Sequence, residues 1–312
     1  MSALESLRRH SRIVADTSDF AELSAYHPEE ATTNPTLILR AVQRDPAQAT
    51  DLIGASRADQ VDEVLVRFGR EILKRIPGRV STEVDARLSF DAEATFARAI
   101  ALAERYAQAN VPAHRVLIKI AATWEGIEAA GRLERQGVHC NLTLVFSLVQ
   151  ARACADAGVQ LISPFVGRIT DWYRLREGRD FAPDADPGVL SVRRIYADLK
   201  QHRYPSEIMA ASFRHPGQIL ALAGCDLLTV SPELLGQLKT MNGPVERQLF
   251  AQAEAVDAAI RPAALSEEQF RWELNEDAMA SEKLAEGIRV FGSDGVKLEQ
   301  LIAGSGESAR SN

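Results

Sequence analysis

Eight short apolar segments recur along this chain, and stretches with helical periodicity fill nearly every gap between them. Their length, and the turn or cap residues at their ends, predict buried β-strands. No Pro/Gly/Ser linker divides the chain, and we find no internal repeat. We therefore predict the α/β class, as a single (β/α)8 TIM barrel with additional flanking helices rather than two domains. The segments are IVADT (13–17), ATTNP (31–35), VSTEVD (80–85), VLIKIAA (116–122), CNLTLVF (140–146), LISPFVG (161–167), EIMAASF (207–213) and LLTVSP (227–232).

The barrel and its C-terminal helices are predicted to occupy residues 1–302. The connections 35–80 and 167–207 are long enough to hold extra helices. About eighty residues follow the last strand, and additions of this kind usually cap or flank a barrel. The Ser-rich end GSGESARSN predicts a disordered tail over 303–312.

Charge and hydropathy argue against two classes of partner. The net charge of -7 and the pI near 5.5 leave no general basic face, so we expect no nucleic acid partner. The first ten residues lack an apolar signal-peptide core, and no run of about 18 apolar residues occurs. We therefore expect a cytoplasmic protein with no membrane association.

Cysteine and histidine spacing gives no indication of a metal or cofactor. Cys140, Cys154 and Cys225 show no CxxC spacing and sit among apolar neighbours, which predicts buried, reduced thiols. The six histidines form no HExxH or other ligand spacing, and no P-loop is present. We predict no metal and no cofactor.

Lys119 is the most informative residue, because it interrupts the apolar run Val116–Ile120 of a strand that should be buried on both faces. The chain has six lysines against thirty arginines, and the other five lie in helix-like or loop-like surroundings. Desolvation favours the free amine, which can condense with a ketone where arginine cannot. A structural lysine paired with Glu83 or Asp85 is the alternative.

Two acidic positions at strand ends are candidates for proton transfer. Asp16 ends the first strand and can act as a general acid or base, or alternatively belong to an Asx turn or helix cap. Glu83 and Asp85 share a face by strand alternation, and Glu83 lies deeper. The alternative for this pair is salt bridges with Arg79 and Arg87.

Two arginines flank strand ends on one side of the predicted barrel mouth. Arg168 follows strand six, and Arg214 ends strand seven beside Ser212. Two guanidinium groups and a hydroxyl can bind a phosphate, although surface arginines are the alternative. Neutral polar residues that can bind sugar hydroxyls, or else serve as buried turn residues, are Asn34, Asn141 and Ser163.

Together these motifs resemble the transaldolases, over nearly the whole chain and in order. The matching motifs are VADT, ATTNPTLIL, STEVDARLS, LIKIAATWEGI, CNLTLVFS, ISPFVGRI, DPGV, ASFR and AGCDLLTVSP. The resemblance implies a barrel whose Schiff-base lysine, Lys119, lies on strand four. It implies transfer of a dihydroxyacetone unit from sedoheptulose 7-phosphate or fructose 6-phosphate to an aldose phosphate, in the non-oxidative pentose phosphate pathway. It also implies a homodimer.

The resemblance assigns roles to individual positions. Asp16 becomes the general acid/base of aldol cleavage, and Glu83 becomes a proton shuttle through a water that Thr143 also holds. Phe165 occupies a position that is typically tyrosine in the related fructose 6-phosphate aldolases, so it resembles the transferases. Binding of the dihydroxyacetone part is assigned to Asn34, Asn141 and Ser163, and binding of the phosphate to Arg168, Ser212 and Arg214.

Two segments depart from the family pattern: Arg44–Val66 is shorter than in familiar relatives, and the tail beyond Leu301 is unlike them. Two other functions remain open from the sequence. One is a class I aldolase that uses the same lysine and releases dihydroxyacetone. The other is a barrel that binds sugar phosphates as a sensor or scaffold without turnover.

Overall fold

Eight parallel strands form a closed barrel in the order in which they occur along the chain, with the eighth pairing with the first. The computed structural model describes residues 1–50, 56–250 and 261–309. The predicted (β/α)8 TIM barrel is thus confirmed. The strands are β1 (Arg12–Asp16), β2 (Glu30–Thr32), β3 (Val80–Glu83), β4 (Val116–Ala121), β5 (Cys140–Val145), β6 (Leu161–Pro164), β7 (Glu207–Ala210) and β8 (Leu227–Val230).

Helices surround the barrel, and the long connections do hold extra ones. The α-helices of the described residues are α1 (Ala3–Leu7), α2 (Phe20–Tyr26), α3 (Pro35–Arg44), α4 (Arg57–Leu73), α5 (Ala92–Gln108), α6 (Trp124–Arg135), α7 (Leu148–Asp156), α8 (Gly167–Glu177), α9 (Pro187–Gln201), α10 (Pro216–Leu220), α11 (Pro232–Thr240), α12 (Glu267–Glu276) and α13 (Ala278–Ala309). Short 3₁₀ turns lie at Pro46–Ala49, Ala86–Leu88, Ala113–Arg115 and Pro183–Ala185.

The C-terminal helix α13 ends at Ala309. The predicted division into a barrel with C-terminal helices over 1–302 and a disordered tail over 303–312 stays a prediction. Residues 310–312 lie outside the described residues, as do 51–55 within the shortened segment Arg44–Val66. Along its length α13 contacts α3, α4, α8 and β5, so it caps the barrel as expected for the C-terminal addition.

The strands begin within one residue of the predicted positions but end one to three residues earlier. At some of these ends a residue predicted to belong to the strand instead caps the element that follows. Asn34 Oδ1 accepts from Leu37 N at 3.0 Å, and the side chain of Ser231 accepts from Leu234 N. At Gly126, in the first turn of α6, a Cβ would lie 2.1 Å from the carbonyl oxygen of Ala121, so only glycine permits this close approach of helix to strand.

Four apolar clusters hold the fold together, and one of them joins α3 and α4 to α13. The largest lies between the sheet and the outer helices and includes Ile13, Ile118 and Leu142. A smaller one fills the barrel interior, as expected for a packed rather than hollow barrel. Its members are Val14, Leu117, Leu161, Met209 and Leu227. A third packs Phe146 and Phe165 beneath Phe291 of α13, on the side of the barrel where the strands end.

The opposite end of the barrel, where the strands begin, is closed by a ring of ion pairs. Arg79 lies 2.8 Å from Glu30 and 2.7 Å from Glu207. Arg12 pairs with both of these glutamates. Because the four residues come from β1, β2, β7 and the approach to β3, the ring links strands from both halves of the sheet.

We expect Arg79→Met to lower the free energy of unfolding by about 3 kcal/mol, since it leaves Glu30 and Glu207 incompletely paired in a poorly solvated site. Chemical denaturation at neutral pH measures this. Arg132→Met, which breaks an outer ion pair with the largely exposed Glu93, is the matched control and should cost less than about 1 kcal/mol. Equal losses in both variants would show that the ring has no special role.

Other expectations concern membranes and thiols. Among the described helices, none combines the length and the apolar character needed to cross a bilayer.

Cys140, Cys154 and Cys225 are free and buried, as predicted. Burial raises the pKa of the Cys225 thiol to about 12, so this thiol is a weak nucleophile at neutral pH.

Candidate active site

A cavity of about 220 Å³ opens at the carboxyl ends of the strands, the end at which barrel enzymes carry their active sites. It brings together residues from most of the strands and from α13. The lining residues are Asp16, Thr32, Asn34, Lys119, Thr143, Ser163, Phe165, Arg168, Met209, Ala211, Ser212, Phe213, Arg214, Thr229, Ser231 and Phe291.

Lys119 lies on β4 and is 5% exposed. Register places it beside Glu83 of β3 and Asn141 of β5, so the three residues stand at one level of the barrel. Lys119 Nζ is 2.9 Å from Glu83 Oε2 and donates a hydrogen bond to the carbonyl oxygen of Thr33 at 3.0 Å. The pairing with Glu83 foreseen as an alternative therefore exists, and it also places a proton acceptor beside the amine.

Asp16 ends β1 and is partly exposed to the cavity. Burial raises the pKa of its carboxyl above the ordinary value of 3.8, although the charges of Lys119 and Arg168 act in the opposite direction. The alternative role of helix cap falls to Asp19, whose side chain accepts from Ala21 N at 2.9 Å. Asp16 is therefore free of that structural task.

Glu83 ends β3 and is 4% exposed. Burial raises the pKa of its carboxyl, and the neighbouring Lys119 and Arg168 oppose this shift. The expected grouping of Glu83 with Asp85 is only partly right. Asp85 leaves the strand, accepts a hydrogen bond from Arg87 N at 2.9 Å and forms an ion pair with Arg87, so it does not line the cavity of Lys119.

A row of hydrogen bonds runs beneath the cavity from β3 to β6. Ser163 Oγ donates to Asn141 Oδ1 at 2.6 Å, and Asn141 Nδ2 donates to Ser81 Oγ at 3.0 Å. Asn141 is fully buried and is not among the lining residues, whereas Ser163 is. Thr143 Oγ1 lines the cavity and has no hydrogen-bond partner among the described residues, so it can hold a water or substrate group.

The end of the cavity near β6 and β7 is cationic. Arg168 stacks against Phe165 and Phe291, 5.1 and 5.4 Å from the ring centroids. Arg214 lies 2.7 Å from Asp171 and donates to Ser212 Oγ at 3.3 Å. Burial and the neighbouring Arg214 lower the pKa of Arg168, and Arg168 forms no ion pair with any described residue. A guanidinium that forms no ion pair, beside a second guanidinium, favours an anionic ligand.

Several lining residues were missed from the sequence. Thr229 and Ser231 follow the same pattern of polar residues late in a strand and were recognisable by that rule. Met209 appeared as an ordinary apolar strand residue. Phe291 lies on α13, far from the strand motifs, and helical periodicity alone gives no signal that it reaches the barrel mouth.

The described residues contain no group of three or more His, Cys, Asp and Glu side chains placed to hold a metal ion. The absence of a metal or cofactor requirement stays a prediction.

One family-level comparison fits this fold and site. The sequence model of a family described as transaldolase/fructose-6-phosphate aldolase matches residues 13–302. The chain belongs to this family, and it is an enzyme of the transaldolase/aldolase type. All eight strands apart from the first residue of β1, and most of α13 with Phe291, lie within the matched range.

Proposed function

We propose that this protein is a transaldolase, which transfers a dihydroxyacetone unit from sedoheptulose 7-phosphate or fructose 6-phosphate to glyceraldehyde 3-phosphate or erythrose 4-phosphate. The observation that carries the proposal is the buried amine of Lys119, paired with Glu83 and sharing its cavity with Asp16 and the unpaired Arg168. A buried amine beside proton acceptors suits Schiff-base chemistry. The unpaired guanidinium suits a sugar phosphate.

Schiff-base formation begins with transfer of a proton from Lys119 to Glu83, across the 2.9 Å contact. The neutral amine attacks the C2 ketone and forms a carbinolamine. The proton held by Glu83 then reaches the C2 hydroxyl through a water hydrogen-bonded to Thr143, and that hydroxyl leaves as water. The unsatisfied hydroxyl of Thr143 supports this assignment. The product is an iminium on Lys119.

Carbon–carbon cleavage follows, because the iminium accepts the electrons of the breaking bond. Asp16 takes the proton of the C4 hydroxyl, the C3–C4 bond breaks, and the aldose phosphate departs. The raised pKa of Asp16 makes it a better proton acceptor than an ordinary aspartate. The three-carbon enamine remains on Lys119 and attacks the acceptor aldehyde, while Asp16 returns the proton to the new hydroxyl.

One further side chain, Phe165, supports transfer rather than hydrolysis. Phe165 is 6% exposed and lies edge-on to Phe146 at 5.3 Å. Of the described residues that line the cavity, none is a tyrosine. An apolar ring at this position delivers no proton to the enamine carbon, so the intermediate persists until the acceptor arrives.

The test of this function is dependence on the acceptor. With fructose 6-phosphate and erythrose 4-phosphate, we expect sedoheptulose 7-phosphate to form, and we expect release of free dihydroxyacetone to be a minor reaction without acceptor. Equal turnover with and without acceptor would identify a fructose 6-phosphate aldolase. Binding of fructose 6-phosphate without any turnover would identify a binding scaffold.

Phe165→Tyr should shift the reaction towards the aldolase. The added hydroxyl gives the enamine a proton donor, so we expect the ratio of dihydroxyacetone release to transfer to rise about tenfold or more. Both products are measured with fructose 6-phosphate in the presence and absence of acceptor. Phe213→Tyr adds a hydroxyl elsewhere in the same cavity and should leave the ratio near that of the wild type. A similar shift in both variants would mean that position 165 is not special.

The roles of Asn34, Asn141, Ser163 and Ser212 in substrate binding belong to this proposal. The pentose phosphate pathway and the homodimer stay predictions from the resemblance, and the cytoplasmic location stays a prediction from the hydropathy of the sequence.

A further inference from the structure

Three buried polar side chains beneath the cationic end of the cavity take no part in the reaction above. Asp186 and Gln218 are fully buried, and Thr170 is 4% exposed. Polar groups are costly to bury unless they are hydrogen-bonded. These three bind one another, and Gln218 and Thr170 also bind the backbone next to the two arginines, at Arg214 N and at Val166 O.

Asp186 is the centre of the group. Its Oδ1 accepts from Gly188 N at 2.8 Å and from Val189 N at 3.1 Å, which caps α9. The same oxygen accepts from Thr170 Oγ1 at 2.8 Å, and Oδ2 accepts from Gln218 Nε2 at 2.9 Å. One carboxylate therefore links α9 to α8 and to α10.

Gln218 connects Asp186 to Arg214, which lines the cavity. Its Nε2 donates to Asp186 and also to Thr170 Oγ1 at 3.0 Å. Because an ionised carboxylate only accepts, the amide nitrogen must face Asp186 and the amide oxygen must face the other way. That oxygen accepts from Arg214 N at 2.8 Å. The orientation of one buried amide thus fixes the backbone of Arg214.

The segment that Gln218 holds has a strained conformation. Ser212 has φ of 63°, a left-handed value that few residues other than glycine adopt readily. Its carbonyl oxygen accepts from Gly167 N at 2.6 Å. A Cβ on Gly167 would lie 2.4 Å from that oxygen and 2.7 Å from Arg214 Cγ. The turn at Ser212 therefore packs tightly against Gly167, the first residue of α8. A strained backbone conformation such as that of Ser212 persists only where the surrounding structure holds it.

Thr170 ties the second phosphate-binding segment to the same group. It lies on α8 between Arg168 and the Asp171 that pairs with Arg214. Asp186 therefore holds both arginines in position: Arg168 through α8, and Arg214 through Gln218. A shift of either segment would separate two guanidinium groups that must meet one phosphate.

We propose that Asp186, Gln218 and Thr170 are positioning residues that set the spacing of Arg168 and Arg214 and so determine preference for phosphorylated substrates. The inference rests on the proposed function for the identity of the anion. Misplacement by about 1 Å can cost up to about a hundredfold in a positioned interaction, so loss of the amide link should weaken phosphate binding selectively.

The test compares Gln218→Met with the wild type, using inorganic phosphate as the probe. Calorimetry should show phosphate binding weakened about tenfold or more, and KM for fructose 6-phosphate should rise similarly. The value of kcat/KM for fructose, which lacks the phosphate, should change less than about twofold. If Gln218 had only a structural role, kcat/KM would fall for fructose 6-phosphate and for fructose alike.

Gln150→Met is the matched control. Gln150 is also fully buried, and its amide also binds backbone groups, accepting from Phe146 N at 2.9 Å and donating to Ala122 O at 2.9 Å. It has no link to Arg214. We expect this variant to lose stability comparably but to keep the phosphate affinity of the wild type. Equal weakening of phosphate binding in both variants would overturn the proposal.

Asp186→Asn provides a second variant of unchanged shape in case Gln218→Met does not fold. Its amide presents a donor to Gln218 Nε2, so the Gln218 amide should turn over and lose its bond to Arg214 N. Phosphate affinity should again fall. Unchanged phosphate binding in this variant would overturn the proposal, as would absence of phosphate binding by the wild type. Wild-type phosphate binding without turnover would refute the proposed transaldolase activity alone.

Discussion

Replacement of Lys119 by arginine should reduce turnover of fructose 6-phosphate by about 10⁴-fold or more. Arginine keeps the positive charge beside Glu83, but its guanidinium stays protonated and cannot form an iminium. Loss of charge pairing is therefore not the cause of the expected effect. Lys74→Arg, at an exposed lysine paired with Glu71, is the control and should retain full activity.

Borohydride reduction gives the same prediction a covalent readout. In the wild type with fructose 6-phosphate, we expect a three-carbon adduct that intact mass and peptide mapping assign to Lys119. Lys119→Arg should show no adduct. An active wild-type enzyme that cannot be trapped, or a Lys119→Arg variant with full activity, would refute the Schiff-base mechanism.

Replacement of Asp16 by asparagine should have the second largest effect, a loss of kcat by about 10² to 10⁴-fold. Asparagine preserves the shape but cannot accept the C4 hydroxyl proton. The raised pKa of Asp16 also predicts that the acid limb of the wild-type kcat profile lies above the ordinary aspartate value of 3.8. Asp19→Asn, which keeps a capping oxygen for α2, should leave the activity and its pH profile unchanged.

Asp16→Asn should also stabilise the fold at neutral pH. The folded-state pKa of Asp16 is raised, so the unfolded chain releases this proton at lower pH than the folded one. The stability of the wild type therefore falls as pH rises from the unfolded pKa through the folded pKa. Asp16→Asn removes this penalty, and its gain in Tm over the wild type should be larger at about pH 8 than at about pH 4. A lower Tm than the wild type at about pH 8 would contradict the prediction.

The fold followed from local patterns in the sequence, because each strand of a parallel barrel is a short apolar run and each helix has its own periodicity. Lys119 could be singled out for the same reason, since a lysine in such a run contradicts the pattern. The strand ends were less predictable. Asn34 and Asp85 looked like strand residues, but their side chains cap the next turn. Hydrogen bonds of this kind to nearby backbone groups compete with strand pairing, and the apolar pattern of the sequence gives no indication of them.

Contacts between distant segments account for most of what the sequence did not disclose. Phe291 reaches the cavity only because α13 crosses the barrel mouth, and Thr33 contributes a backbone carbonyl, which any residue type could supply. The hydrogen bonds that the Asn141 amide forms with Ser81 and Ser163 were not foreseen, while its contact with substrate stays a proposal. Strand alternation gave the correct face for Asn141 but not the identity of its neighbours across the barrel.

The position of α13 has a consequence for synthesis on the ribosome. The barrel closes only after β8 has been made and can pair with β1, and the wall that Phe291 provides comes still later, from α13. A nascent chain stalled before α13 would expose the apolar cluster around Phe146 and Phe165 at an open barrel mouth. The cavity is therefore enclosed only after α13 has been made, and products truncated before α13 should be recognised by chaperones.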